Sequence, residues 1–502
     1  MKKNKIYALA YLSIWIFPMI IFVRDFFHMQ DIKGIDYIEI IDLLKMSLVQ
    51  GGLSVIFSTL IAVIPAYYIS YRRDRISQIL EGLIFIPFFF PAVSTVVAFT
   101  LFFNLPYIKE LGVLYSLKGI IIANVFYNSP IMIKYISQGV RNIPKNILEA
   151  GRLDGLNERT LFFKIKLPLI LPQVYRGMFL VFLYTFSSFG IVLALGGIRF
   201  WNLEVGIATT LLGDADFSKA LILGGLQFLV LVSISMIGEK VPTYELSGEP
   251  IEKKVGNGVK IYSVIYLAVE CIVLLIGIVY GFFNYYTGKF SFSSFLKLFS
   301  AELNSEYHVL EALGNSMILA GVTPVFVIIF TYLILKNYSK ITGVIIFSTM
   351  GFSSAFLGIV LIYLNILYII PLWLLLIFGY FLVTVPIAYS FMYQYVKEFP
   401  KDLLDLGKLD SLSSLKSFCL IEFPILKRVF IGTYLQIFAI ILGEFTISYT
   451  MQLGTDFPII SIVNYSLYSD KKLLEGAALS SLNVLIVALL FYLSNRLTED
   501  KK

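Results

Sequence analysis

A polar, charged run, Glu149–Pro168, EAGRLDGLNERTLFFKIKLP, lies inside a chain that is 58% hydrophobic. Glu149, the small pair Ala150 and Gly151, a Gly155 six positions after Glu149, and the ending Ile165-x-Leu167-Pro168 make a compact pattern. None of the residue sets that make or break bonds accompanies it. The sequence has no Gly-x-x-x-x-Gly-Lys-Ser/Thr loop to cradle phosphates. Its 2 histidines, His28 and His308, fall in segments read as lying outside the bilayer core. No His, Cys, Asp or Glu cluster has metal-ligand spacing, and no Ser–His–Asp set is evident. Cys271 sits in an apolar run and Cys419 in a basic loop, which argues against a structural disulfide. The sequence therefore assigns no catalytic residue, no metal site and no cofactor.

The pattern occurs twice. A shift of 256 positions, Pro144 to Pro400, aligns the surrounding segment of the second half without a gap. Pro130, Gln138, Gly151, Leu153, Asp154, Ile165 and Pro168 fall on Pro386, Gln394, Gly407, Leu409, Asp410, Ile421 and Pro424. A period this long means two copies of one domain rather than a solenoid. The second copy is degenerate: Asp405 stands for the Glu, Leu406 for the Ala and Ser411 for the turn glycine.

Positioning these loops is the task of apolar segments. Charged residues are 15% of the 502, a polytopic membrane composition. On a ruler of roughly 20 residues per crossing, about 12 spans are predicted. In the first half they cover 6–23, 46–70, 79–103, 119–138, 173–197 and 218–238. In the second they cover 261–283, 311–335, 341–364, 370–393, 429–450 and 473–495. The expected division is a domain over 1–238, a polar linker over 239–260 and a second domain over 261–502. Six spans per half make the repeat parallel, about an axis along the membrane normal. The apolar run after Met1 is long enough to be a retained helix rather than a cleaved leader. Basic residues concentrate on one side, in Arg72-Arg73-Asp74-Arg75, in both repeated loops and at both termini. The positive-inside rule puts these in the cytoplasm. The same rule accounts for the net charge of +7 without a nucleic-acid partner. A short interfacial helix is expected in the outer segment 104–118.

Polar residues in spans are costly and default to a functional hypothesis. Asn128, Ser187, Ser188 and Glu444, with Phe189 beside them, are candidates to line a passage between the halves; the shift of 256 sets Glu444 opposite Ser188. The alternative is that Ser and Asn bond neighbouring helices and Glu444 lies at outer headgroup level. Glu270 needs a partner that the sequence does not identify.

The Glu149–Pro168 pattern resembles the EAA loop of ABC importer permeases. In that family the loop is a pair of short cytoplasmic helices joined at the glycine, and it docks into a cleft on an ATPase subunit. The resemblance implies an ATPase-coupling role for Glu149, Ala150, Gly151, Asp154, Gly155 and Pro168. In the second copy it implies the same for Asp405, Gly407, Asp410, Ser411 and Pro424. Glu149 is expected early in the first short helix, where a carboxylate complements the dipole or meets a basic residue. Gly155 is expected to make a left-handed turn. The passage Phe186-Ser187-Ser188-Phe189-Gly190 through Gly196-Gly197 is similar to the fused two-domain permeases of thiamine and ferric-iron importers. The implied fold is all-α, two parallel six-helix permease domains in one chain, in the bacterial inner membrane with both termini cytoplasmic. The implied partners are two copies of an ABC ATPase that binds the ATP, an extracytoplasmic substrate-binding protein and the bilayer. Thiamine, a monocation, is favoured over ferric iron as the cargo because Glu444 and aromatics could pass a cation. The 44 Phe and 32 Tyr as a whole are nevertheless read as lipid-facing and interfacial packing rather than a ligand cage. Two rivals stay in view. An ion-coupled secondary transporter would carry its own coupling carboxylates and has no reason to repeat this loop. A polytopic membrane enzyme should cluster His, Asp or Glu near one interface.

Overall fold

A computed structural model describes residues 6–27, 37–83, 91–213, 216–238, 253, 255–284, 287–337, 340–397, 399–400, 402–405 and 413–498. Apart from a two-residue hairpin pairing Phe283 with Phe290, the described elements are helices. The first half runs α1 (Ile6–Phe27), α2 (Tyr37–Tyr71), α3 (Arg75–Leu83), α4 (Ala92–Phe103), α5 (Pro106–Lys109) and α6 (Leu117–Arg141). It continues with α7 (Lys145–Leu153), α8 (Glu158–Leu161), α9 (Leu167–Phe186), α10 (Gly190–Leu195), α11 (Leu203–Leu212) and α12 (Phe217–Gly238). Then come α13 (Asn257–Val279), α14 (Ser293–Leu298), α15 (Ala301–Tyr307), α16 (Val309–Lys336), α17 (Lys340–Ser348), α18 (Ser354–Tyr368) and α19 (Leu372–Lys397). The last are α20 (Ser414–Ser417), α21 (Phe423–Leu442), α22 (Thr446–Thr450), α23 (Ile460–Ser469) and α24 (Leu473–Thr498).

Among the described residues, 9 helices are long and apolar enough to cross a membrane, or 10 if one bent pair counts as a single span. The difference from the expected twelve has three local causes. The 79–103 span includes 84–90, outside the described residues, and its flanks are the separate helices α3 and α4. The 119–138 span is one helix, α6, and at 25 residues it is long enough. Asn124, Asn128, Ser129 and Ser137, all buried, dilute its apolarity. Such a helix belongs inside a bundle, where neighbours satisfy its polar groups. The 341–364 span breaks by 82° between α17 and α18, where the Ser353 hydroxyl accepts the Phe356 amide at 3.0 Å and starts a new helix. The helix expected in 104–118 is α5.

Packing divides the chain into two compact units, and they cut across the sequence repeat. One unit runs from α2 to Ser291 and so includes α13. In it, α2 presents a stripe of buried small and polar residues, Ser47, Gly51, Ser54, Ser58 and Ala62, that lets helices approach closely. Glu270 on α13 finds the partner the sequence left open: its Oε1 accepts the Ser129 hydroxyl of α6 at 3.4 Å, and Ser129 lies 2.9 Å from the Tyr266 hydroxyl. The other unit combines α1 with everything from Phe292 onwards. There Trp15 stacks on Phe352 at 4.9 Å, Phe22 meets Phe356 edge-on at 5.3 Å, and the Tyr363 hydroxyl donates to Asp25 at 3.1 Å. The repeat boundaries at 238 and 261 and the packing units therefore divide the chain differently, because each half's first helix lies in the other half's unit. Of the linker 239–260, Lys253 is placed by its amide, which donates to the Tyr71 carbonyl at 3.1 Å.

Candidate coupling loops and polar helix breaks

In the first loop, α7 ends in a Schellman turn. Gly155 has φ +78°, its amide donates to the Arg152 carbonyl at 3.0 Å, and the Leu156 amide reaches the Gly151 carbonyl at 3.1 Å. A left-handed residue is what that pair of bonds requires, so a glycine sits there. Gly151 has a different reason. A Cβ there would meet Leu161 Cδ1 at 2.7 Å, so the helices α7 and α8 touch at this point. Beneath them Ile143, Leu148, Leu161 and Ile170 form a small buried core, joined by Leu156 and Ile165. Asn157 caps α8 by accepting the Thr160 amide at 2.8 Å. Glu158 ties the two arms together, 2.8 Å from Arg152 and 3.7 Å from Lys166.

The chain then makes one wide π turn, Phe162–Lys166, and enters α9 with Pro168 in its first turn. A proline cannot donate to the carbonyl four residues back and its ring crowds that carbonyl, so the ladder widens just before it. The Leu167 amide bonds five residues back, to the Phe162 carbonyl. The result is a rigid elbow whose outward surface carries Glu149, Ala150, Asp154 and Leu153, the last 88% exposed, with Phe162 and Phe163 behind them. Glu149 is not early in its helix. It is the fifth residue of α7 and pairs with Lys145 at 3.5 Å, one turn before it, and no acidic residue occupies the first turn.

The second loop repeats the distal arm at the same shift. Ser413 accepts the Lys416 amide at 3.4 Å, as Asn157 does for Thr160. A π turn spans Phe418–Glu422, and Pro424 occupies the first turn of α21. Asp405 is exposed at the end of the helical stretch 402–405. Gly407, Asp410 and Ser411 lie outside the described residues. One position is inverted in charge. Where the first loop has Lys166, the second has Glu422, buried, 2.8 Å from Lys336 and accepting the Tyr332 hydroxyl. Beside the first loop, Asp74 of the basic turn accepts from the Ser77 amide at 3.0 Å, the Tyr68 hydroxyl at 2.8 Å and Arg72 at 3.3 Å. Desolvation alone would raise its carboxyl, but these donors outweigh it and hold the pKa below the ordinary 3.8.

Both long helices that leave the loops stop short of the spans expected for them. α9 ends at Phe186, and Ser187-Ser188-Phe189 separates it from α10. α21 ends at Leu442, and Gly443-Glu444-Phe445 separates it from α22. At the first break the Ser188 hydroxyl meets Asn124, not Asn128, at 3.4 Å, and Asn202 donates to the Ser188 carbonyl at 2.7 Å. Asn128 turns back on its own helix, to the Asn124 carbonyl at 2.7 Å. Ser187 is half-buried and Phe189 is buried at 3% exposure, so Phe189 packs rather than lines an open surface. At the second break Glu444 accepts the Ile447 amide at 2.8 Å and the Ser448 hydroxyl at 3.1 Å, and Ser448 lies 2.7 Å from the Tyr380 hydroxyl. Asn124, Asn202, Tyr380 and Ser448 were missed by sequence reasoning. The shift that pairs Ser188 with Glu444 also pairs Asn124 with Tyr380, and that was the signal available.

These features define the class: a polytopic, all-helical membrane protein. Residues 55–241 match the family model described as binding-protein-dependent transport system inner membrane component. Within the relatives compared, the chain is similar to the thiamine transport system permease protein ThiP of Escherichia coli (strain K12), 28% identical over 128 residues. That alignment covers 25% of this chain and 24% of the relative. It is similar to ThiP of Haemophilus influenzae, 29% identical over 163 residues, 32% of this chain and 30% of that one. A third relative is the probable transport system permease protein NifC of Clostridium pasteurianum, 23% identical over 195 residues, 37% of this chain and 68% of the relative. The chain thus spans less than a third of the length of the thiamine permeases it matches.

Proposed function

We propose that this chain is the membrane subunit of an ATP-driven, binding-protein-dependent importer and is not itself an ATPase. An ATPase subunit docks on each elbow, Glu149–Pro168 and Asp405–Pro424, and an external binding protein delivers cargo to the opposite side. The observation that carries the reading is the distal arm of the elbow, built twice. Capping residue, π turn and proline recur at one spacing, in loops whose basic flanks suit the cytoplasmic side. A stiff handle where a long helix begins is what is needed to convert closure of two cytoplasmic subunits into movement of two membrane halves. The cargo we favour is a small organic cation of the thiamine type. The similarity to thiamine permeases supports it, as does a carboxylate, Glu444, where the other half has a hydroxyl. Ferric iron is second.

Co-purification tests this. The native chain is expected to retain an ATPase subunit encoded with it, and Gly155→Pro combined with Glu149→Lys to lose it while keeping its helical content. Proline cannot adopt φ +78°, so the elbow opens. Retention by the double variant, or transport driven by a proton or sodium gradient with no ATPase bound, would overturn the reading.

A further inference from the structure

The second helix break is more than a gap between α21 and α22. Glu444 places a carboxylate in the apolar span Ser414–Thr450, a position that costs free energy unless it serves something. Capping does not require it. In the first half the corresponding helix α10 begins with no side-chain cap at all. The matched residue there is Ser188, whose hydroxyl goes elsewhere, to Asn124. Glu444 is half-buried, so its carboxylate is held by Ile447 and Ser448 without being sealed off.

Next to it lies an aromatic group of which the first half matches only one member, Phe189 standing for Phe445. Phe445 is 5.1 Å from Tyr449 and 5.0 Å from Tyr465, and the two tyrosine rings are 5.4 Å apart, edge to face. Both tyrosines are only half-buried. In the first half Leu193 stands at the matched place for Tyr449, and Ala208, sixth in α11, answers to Tyr465, sixth in α23. Tyr380 likewise replaces Asn124. An anion held by hydrogen bonds beside clustered π faces is the chemistry that recognises an organic cation. A metal ion or an anion would gain little from the rings.

We propose that Glu444, held by Ser448 and backed by the buried Tyr380 and Phe445, forms with the half-buried rings of Tyr449 and Tyr465 a binding station for an organic cation, present in one half of the chain only. The station deepens the importer reading and rests on it for its place on a transport route, but binding can be measured apart from transport.

The test is equilibrium binding of radiolabelled thiamine to the full chain in phosphatidylcholine nanodiscs, with choline and its uncharged counterpart 3,3-dimethylbutanol as competitors. Saturable binding is expected, displaced by choline and not by the alcohol. Glu444→Gln should weaken it about tenfold or more, Tyr449→Leu about threefold, and Glu444→Asp should restore most of it. The Gln side chain still offers an oxygen to the Ile447 amide, so a purely capping role predicts no change, and an unchanged melting temperature confirms that the variant folds. Binding by Glu444→Gln at native affinity, equal competition by the alcohol, or no binding by the native chain each overturns the station. Retention of an ATPase by the same preparation is scored separately: cation binding that depends on Glu444 without any ATPase would keep the station and sink the importer reading.

Discussion

At the scale of single residues, a left-handed turn that closes a helix admits little besides glycine. Gly155 was read as a left-handed turn and the structure gives it φ +78°. Gly151 was read only as one of two small residues; that it marks the closest approach of two helices depends on Leu161, ten positions on, and no spacing reveals it. Asp74 was counted merely as a neighbour of basic residues, whereas it caps α3 and accepts three donors. Its lowered pKa gives a pH signature. A carboxyl depressed on folding contributes stability that is full above its unfolded value and is lost as pH falls through its folded value. Asp74→Asn keeps an N-cap acceptor but removes the charge that Tyr68 and Arg72 bond to, so it should cost about 1 kcal/mol at pH 7, and the gap to native should close in acid below 3.8. Thermal melts of the two proteins at several pH values check this; a gap that is the same in acid would show that the charge is irrelevant.

At the scale of elements, the repeat predicted that the two elbows share a plan, and in the distal arm they do. What it could not convey is how each is fastened. Lys166 and Glu422 occupy the same place in the π turn, but Lys166 joins its own loop through Glu158 while Glu422 reaches back to Lys336 and Tyr332 on α16. That partner lies 86 residues away, beyond any local pattern. The second elbow is thus pinned to a long helix and the first is braced on itself. Glu422→Lys sets two cations together and should destabilise the protein by about 3 kcal/mol, the low end for breaking a buried pair, because Lys336 keeps 41% of its side chain exposed. Adding Lys336→Glu should recover a large part of the loss. A double-mutant cycle by denaturant-induced unfolding in detergent measures it, and additive losses would rule the pairing out. The span errors belong to this scale too. Apolar length predicts crossings, but it is blind to the 82° bend at α17–α18 and to a central helix such as α6, whose buried asparagines and serines bond within the helix or to its neighbours.

At the scale of the whole molecule, helix content and membrane class were evident from composition, while the grouping of the helices was not. Lipid-facing and protein-facing surfaces are both apolar, so hydrophobicity cannot say which neighbour a span prefers. The clues were specific and aromatic: Trp15 and Phe22 on α1 have their partners at Phe352 and Phe356, more than 330 residues on in the chain. α1 therefore stabilises the unit that begins at Phe292 rather than the helices that follow it in sequence. Trp15 is buried at 1% exposure, and Trp15→Ala should remove on the order of 3 kcal/mol of packing. The loss should be local. Hydrogen exchange of the intact chain in nanodiscs is expected to rise in α18 and around Phe352 while α2 and α6 keep their protection. Faster exchange in α2 and α6 with α18 unchanged would mean that α1 packs within its own half after all, and that the packing units coincide with the sequence repeat.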